Sequence, residues 1–186
     1  MRVISGKWGG TRLVAPKGRG PRPTTRPTSG RNREALFSML GARLDFDGLK
    51  ILDAFAGSGA LGLEALSRGA AHCTFIENDH AACATIQQNI AICGAADATT
   101  LIRRDVRKVN FKTDFGGAAF DLVLLDPPYG KGLGDALLPL LPPALADDAL
   151  LVLEEDRRCA LVAPDGFDEI DRRVKGDTAL TFLTKR

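Results

Sequence analysis

Leu49-Lys50-Ile51-Leu52-Asp53-Ala54-Phe55-Ala56-Gly57-Ser58-Gly59 is the stretch on which the fold turns. Leu49–Asp53 reads as a short buried strand, and Ala60–Arg68 as a helix that Gly69 ends. Between them Gly57 and Gly59 lack Cβ atoms, so the backbone can bend sharply and approach a ligand. The helix start then offers free N–H groups and the positive end of a dipole, suited to a carboxylate or a phosphate. Glu77 follows twenty residues after Gly57, at the end of the next strand, where its carboxylate can accept both hydroxyls of a ribose.

Two ligand classes compete for this loop. Gly57, Gly59 and Gly62 fit the G-x-G-x-x-G spacing of a dinucleotide site, which makes a nicotinamide or flavin oxidoreductase one reading. Asp53 favours the other. A buried acid beside a pyrophosphate repels it, whereas the same acid beside an ammonium is favourable. S-adenosylmethionine carries an amino acid head, an adenosine and a sulfonium, and so satisfies Asp53, the glycine loop and Glu77 together. Phe55 and Asn78 adjoin these residues and are counted with them as cofactor-binding candidates. Asp105, in Arg103-Arg104-Asp105-Val106, is placed either to accept from the adenine amino group, with Val106 beside it, or to hold a turn.

Outward from this loop the chain alternates strand and helix. His72–Glu77 reads as a strand and His80–Cys93 as a helix closed by Gly94. Further strands are expected at Thr99–Arg103, Phe120–Leu125 and Leu150–Glu154, with a helix near Gly134–Leu141. Phe167–Val174 and Ala179–Thr184 leave no room for a helix between them, so they form an antiparallel hairpin. The expected fold is α/β and Rossmann-like, a mostly parallel sheet covered on both faces. Ligands of such sheets collect at the carboxyl edge where strand order reverses.

Asp126-Pro127-Pro128-Tyr129 directly follows the Phe120–Leu125 strand. Neither proline can donate to a ladder and both fix φ, so the pair ends the strand and holds its neighbours rigidly. The Asp126 carboxylate and the Pro127 carbonyl are acceptors beside the flat ring of Tyr129. That equipment suits a planar substrate bearing an amino group; the plainer reading is a strand-terminating turn with Tyr129 as a core aromatic.

Apolar residues make up 45% of the 186 and charged residues 26%, enough for one well-buried α/β domain with an appendage. The opening residues lack the apolar stretch of a signal peptide, and the apolar region Ala136–Leu153 is broken by prolines and aspartates, so a cytoplasmic protein is expected. Cys73, Cys83, Cys93 and Cys159 form no CxxC pair and read as reduced structural thiols; no metal is expected. The net charge of +2 conceals a polarity. Residues 1–43 carry ten Lys/Arg against Glu34 alone, and the remainder is acidic, which points to a polyanion partner.

Those basic residues lie in an appendage. Residues 1–14 predict a hairpin around Gly9-Gly10, and residues 15–30 an irregular arm, so 1–30 is set apart from a body of 31–186 led by a helix over 31–44. Ala35, Leu36, Met39, Leu40 and Leu44 mark the apolar stripe of that helix, with Arg31 and Arg33 largely off it. Arg2, Lys7, Arg12, Arg31 and Arg33 are candidates for phosphate contacts. Trp8 is expected to anchor the hairpin to the body rather than to stack on a base.

With both motifs in place, the chain resembles the class I S-adenosylmethionine-dependent methyltransferases that carry an (N/D)PP(Y/F) element. Within them it is similar to the RsmD family of 16S rRNA guanine-N2 methyltransferases. The likeness runs from Met1-Arg2-Val3-Ile4-Ser5-Gly6-Lys7-Trp8 through Arg26-Pro27-Thr28 and Arg33–Leu40 to Leu52–Gly59 and Asp126–Tyr129; Ser29-Gly30-Arg31-Asn32 departs from it. The resemblance implies a seven-stranded sheet with an antiparallel last strand. It also implies methylation of the exocyclic N2 amine of a guanine in 16S rRNA, with Asp126, Pro127, Pro128 and Tyr129 at the chemistry and the RNA held within a small-subunit particle. A monomer is expected. From the residues alone, adenine N6 and cytosine N4 fit the same acceptors, so DNA adenine methylation stays open. A non-catalytic RNA-binding assembly module stays open beside it.

Overall fold

Ile51, Leu52 and Asp53 are fully buried in the first strand, and a strand buried on both faces must lie inside a covered sheet. The computed structural model describes residues 1–15, 30–128, 132–159 and 161–186. Seven strands form one sheet: β1 (Lys50–Asp53), β2 (His72–Glu77), β3 (Thr99–Arg103), β4 (Phe120–Leu125), β5 (Leu145–Asp156), β6 (Phe167–Lys175) and β7 (Thr178–Lys185). Their spatial order is β3-β2-β1-β4-β5-β7-β6. All pairings are parallel except those of β7, which runs antiparallel to both β5 and β6. This is the mostly parallel seven-stranded sheet with an antiparallel last strand that the alternation and the family likeness both called for.

The helices are α1 (Gly30–Gly41), α2 (Ala60–Ser67), α3 (His80–Cys93) and α4 (Leu133–Leu137). Strand residues alternate between the two covered faces. Ile51, Leu122, Leu124 and Val152 pack with α1, α2 and α3, while Leu52, Val123, Leu125 and Leu153 pack on the opposite side around α4, Phe111 and Phe120. Three boundaries differ from expectation by more than one residue, the first at α1, which ends at Gly41 rather than at residue 44. Strand β5 reaches back to Leu145, because Leu145 and Ala149 are buried in the ladder although Asp147 and Asp148 give the segment a loop-like composition. The helix near Gly134–Leu141 breaks after Leu137 into 3-10 turns at Leu138–Leu140 and Pro142–Ala144, as prolines inside the pattern require.

Residues 1–14 fold back as a hairpin, with an antiparallel bridge between Arg2 and Arg12 and positive φ at Gly6 and Gly10. Its Val3 and Leu13 enter the same core as α1 and α2, and Trp8 packs against that core in the anchoring role expected of it. Glu64 of α2 explains the docking. This carboxylate is wholly buried and accepts the Ile4 and Ser5 N–H groups at 2.7 and 3.1 Å and the Arg68 Nε–H at 2.9 Å. Ser67 adds three more bonds, accepting at its hydroxyl from Trp8 N–H, donating to the Ser5 carbonyl and accepting at its carbonyl from Lys7 N–H. Gly6 lies so close to α2 that a Cβ there would stand 1.8 Å from the Ser67 carbonyl oxygen. The irregular arm falls almost entirely within residues 16–29, outside the described residues.

Candidate active site

Strands β2 and β3 lie on one side of β1, and the chain then returns to place β4 on the other. Strand order therefore reverses between β1 and β4, and their carboxyl ends flank the crevice where ligands of such sheets bind. Asp53 pairs with Leu124, and the Ala54 N–H donates to the Leu124 carbonyl at 3.0 Å. Asp126 follows two residues beyond Leu124, which in extended chain puts it roughly 8 Å from Asp53 between Cα atoms. The two loops singled out in the sequence thus share one edge. Asp126 and Pro128 are half-buried and Pro127 is buried. Tyr129 lies outside the described residues.

The loop on β1 is shaped as its glycines allow. Gly57 and Gly59 have φ of 54° and 75°, a region that side chains rarely adopt. Gly62 plays a different part: a Cβ there would come within 2.4 Å of Cys73 Sγ and of Phe75 Cε1, so this glycine seats α2 on β2. Asp53 is 1% exposed, and its Oδ2 accepts the Gly62 N–H at 3.0 Å. Its Oδ1 is buried without a hydrogen-bond partner among the described residues. Burial pushes the Asp53 carboxyl up to about 7; the Gly62 bond opposes this and the neighbouring Glu77 charge adds to it. An orphaned acceptor buried beneath a glycine loop suits a cationic donor, and a pyrophosphate would be repelled by it.

Glu77, at the tip of β2, turns its carboxylate toward the same loop. Oε2 accepts the Gly57 N–H at 2.8 Å, and Oε1 accepts the Asn78 and Asp79 N–H groups at 2.8 and 2.9 Å. Three of about four acceptor positions are thereby in use, which fixes the group and leaves room for roughly one more donor. Asn78 is exposed beside it, and Phe55 is half-buried against the α4-side core. Asp105, at the end of β3, caps the 3-10 turn Val106–Lys108 and binds the Arg107 guanidinium through both oxygens. That pairing holds its carboxyl low, at about 2. An adenine amino group would have to share Asp105 with Arg107; Val106 is buried beside it.

The basic candidates divide. Arg2, Lys7, Arg12 and Arg31 are exposed, and Lys7 stacks its ammonium 5.4 Å from the Trp8 ring centre. Arg33 is corrected. It is 2% exposed, its guanidinium donates to the Arg2 carbonyl, and its Nε lies 4.0 Å from Glu64. Burial lowers its pKa against the pull of Glu64, and no phosphate in solvent can reach it. The buried stripe of α1 is Arg33, Leu36, Phe37 and Leu40, so Arg33 lies on the face it was expected to avoid. The i, i+3, i+4, i+7 spacing through Phe37 was the signal for this. Glu64 and Asn89, both fully buried, had no place among the candidates although they tie the hairpin to the body. The cysteines are free thiols, and among the described residues no group of three His, Cys, Asp or Glu could hold a metal. No helix among them is long and apolar enough to cross a membrane.

A family described as Conserved hypothetical protein 95 matches residues 1–184. The ribosomal RNA small subunit methyltransferase D of Escherichia coli (strain K12) is 40% identical over 96% of this chain and 87% of its own length. A candidate rRNA methyltransferase of Bacillus subtilis (strain 168), YlbH, is 38% identical over the whole of both chains. The solved structure of E. coli yhhF, a candidate methyltransferase, superposes with a TM-score of 0.82 at 33% identity, covering 100% of this chain and 97% of that one. With its sheet order, its paired strand-tip loops and these relatives in agreement, the chain belongs to the RsmD family of class I methyltransferases.

Proposed function

We propose that the protein transfers a methyl group from S-adenosylmethionine to the exocyclic N2 of a guanine in 16S rRNA. The observation that carries this reading is the reversal of strand order between β1 and β4. It sets the orphaned Asp53 acceptor and the glycine loop beside the Asp126-Pro127 acceptors at one sheet edge. The relatives named as small-subunit rRNA methyltransferases, and the exposed cations of the hairpin, support rRNA as the polymer.

Asp53, the Gly57–Gly59 loop and Glu77 would hold the donor by its ammonium, its backbone-facing groups and its ribose respectively. The bound donor supplies an electrophilic methyl group on a sulfonium. The chain's part is then to present a nitrogen in line with it. A guanine N2 lone pair is delocalised into the ring. Hydrogen bonds from its N–H groups to the Asp126 carboxylate and the Pro127 carbonyl would localise density on nitrogen and stabilise the positive charge that develops there. As the N–C bond forms the C–S bond would break to leave a neutral thioether, and one N–H proton would be released to restore a neutral amine. The two prolines keep these acceptors from relaxing. Tyr129, next in sequence, is assigned the stacking of the extruded base, worth about 1–3 kcal/mol. Arg2, Lys7, Arg12 and Arg31 are assigned phosphate contacts that position the RNA.

Asp126→Ala is expected to abolish methyl transfer to 16S rRNA particles while donor affinity stays within about twofold of wild type. Unchanged turnover in that variant refutes the role given to Asp126. Transfer to duplex DNA in preference to rRNA refutes the substrate, and mass mapping of the modified rRNA identifies the base.

A further inference from the structure

Asn89 of α3 is wholly buried, and its side-chain amide is used at three points. Oδ1 accepts the Val14 N–H at 2.7 Å, while Nδ2 donates to the Val14 carbonyl at 3.0 Å and to the Ser58 carbonyl at 2.9 Å. Val14 ends the basic hairpin, and Ser58 is the centre of the glycine loop. A single amide therefore stitches the two together. The Ser58 hydroxyl makes a second tie, donating to Met1 Sδ at 3.7 Å. The Gly57 N–H to Glu77 is a third. Two of these three ties of the loop lead to residues 1–14, and the glycines on either side of Ser58 leave the loop intrinsically soft.

We propose that Asn89 is a positioning residue that couples nucleic acid binding on the hairpin to donor binding in the glycine loop. This rests on the function proposed above. Phosphates held by Arg2, Lys7 and Arg12 restrain residues 1–14, and through Met1 and Val14 they restrain Ser58. The loop then loses less freedom when the donor arrives, so RNA tightens donor binding, and by linkage the donor tightens RNA binding by the same factor. The hairpin itself stays docked without Asn89. Glu64 and Ser67 hold Ile4, Ser5, Lys7 and Trp8 independently of it. Removing the amide therefore separates the coupling from the docking.

The test is calorimetric, on the full-length protein, with donor titrated alone and in saturating 16S rRNA. RNA is expected to tighten donor binding by about fivefold or more in the wild type, and by less than about twofold in Asn89→Ala. Asn89→Asp keeps the acceptor for Val14 N–H but sets carboxylate oxygen against two carbonyls, and it is expected to lose the coupling likewise. Should both variants melt below the assay temperature, hydrogen exchange on the wild type decides: RNA alone slows exchange at the Gly57–Gly59 amides. No tightening in the wild type, equal tightening in the variants, or unaltered loop exchange overturns the coupling. Failure of the RNA-free wild type to bind the donor strikes instead at the function proposed above.

Discussion

Donor affinity should rise with pH as the Asp53 carboxyl ionises. Burial holds this group at about 7 in the free protein, so about 0.9 of it is protonated at pH 6 and about half at pH 7. An ammonium placed against the orphaned Oδ1 draws the bound carboxyl back toward the ordinary range near 4. Binding must then expel the proton. Donor affinity is expected to be about fivefold greater at pH 7 than at pH 6, with about 0.9 proton released per donor at pH 6 and about 0.5 at pH 7. Both values lie below the range where an α-amine titrates. Isothermal titration in two buffers of different ionisation enthalpy measures affinity and proton release together, and Asp53→Asn should flatten both profiles. Equal affinity at the two pH values with no proton release refutes the placement of Asp53 against a cation. The same raised pKa has a consequence for the free protein. The stability Asp53 contributes is present below the unfolded carboxylate range and is lost as pH rises from about 4 to 7, by about 4 kcal/mol at most. The free protein should therefore melt lower at pH 7.5 than the Asp53→Asn variant.

Two further outcomes separate structure from binding. Gly62→Ala forces a methyl into Cys73 Sγ and Phe75 Cε1, so α2 must lift from β2; a loss of about 1–3 kcal/mol is expected by calorimetric melting, and an unchanged midpoint would count against the close packing. Arg2→Ala should lower the slope of log affinity for RNA against log salt by about 0.7–0.9, whereas Arg33→Met leaves that slope unchanged and lowers the melting temperature instead, because Arg33 is buried against Glu64.

What could be read from the sequence was what local pattern controls. The turns at Asp53–Gly59 and Asp126–Pro128 announce themselves by residue type, and the strands before them by largely apolar runs; β2, α3, β3 and β4 begin and end where the pattern placed them. What escaped depends on partners far apart in the chain. Glu64 reads as a polar residue in a largely apolar helix, yet its partners Ile4 and Ser5 stand about sixty residues away, and nothing local marks a buried carboxylate as a docking point. Asn89 is the same case, joined to Val14 across 75 residues. Arg33 is the opposite case: its basic neighbourhood suggests a surface charge, yet its helical phase buries it. Asp105 lay between two readings, and Arg107, two residues on, satisfies it as a turn would.

The strand order also divides labour across the breadth of the sheet. Under the proposed reading, the tips of β1 and β2, in one half, carry the residues assigned to the donor, and the tip of β4, in the other, carries the acceptors for the target amine. The halves meet along a single ladder, between Ile51–Asp53 and Leu122–Leu124. Loops on the β4 side can therefore be exchanged to redirect such a protein toward another amine, while the part that grips the donor is inherited unaltered.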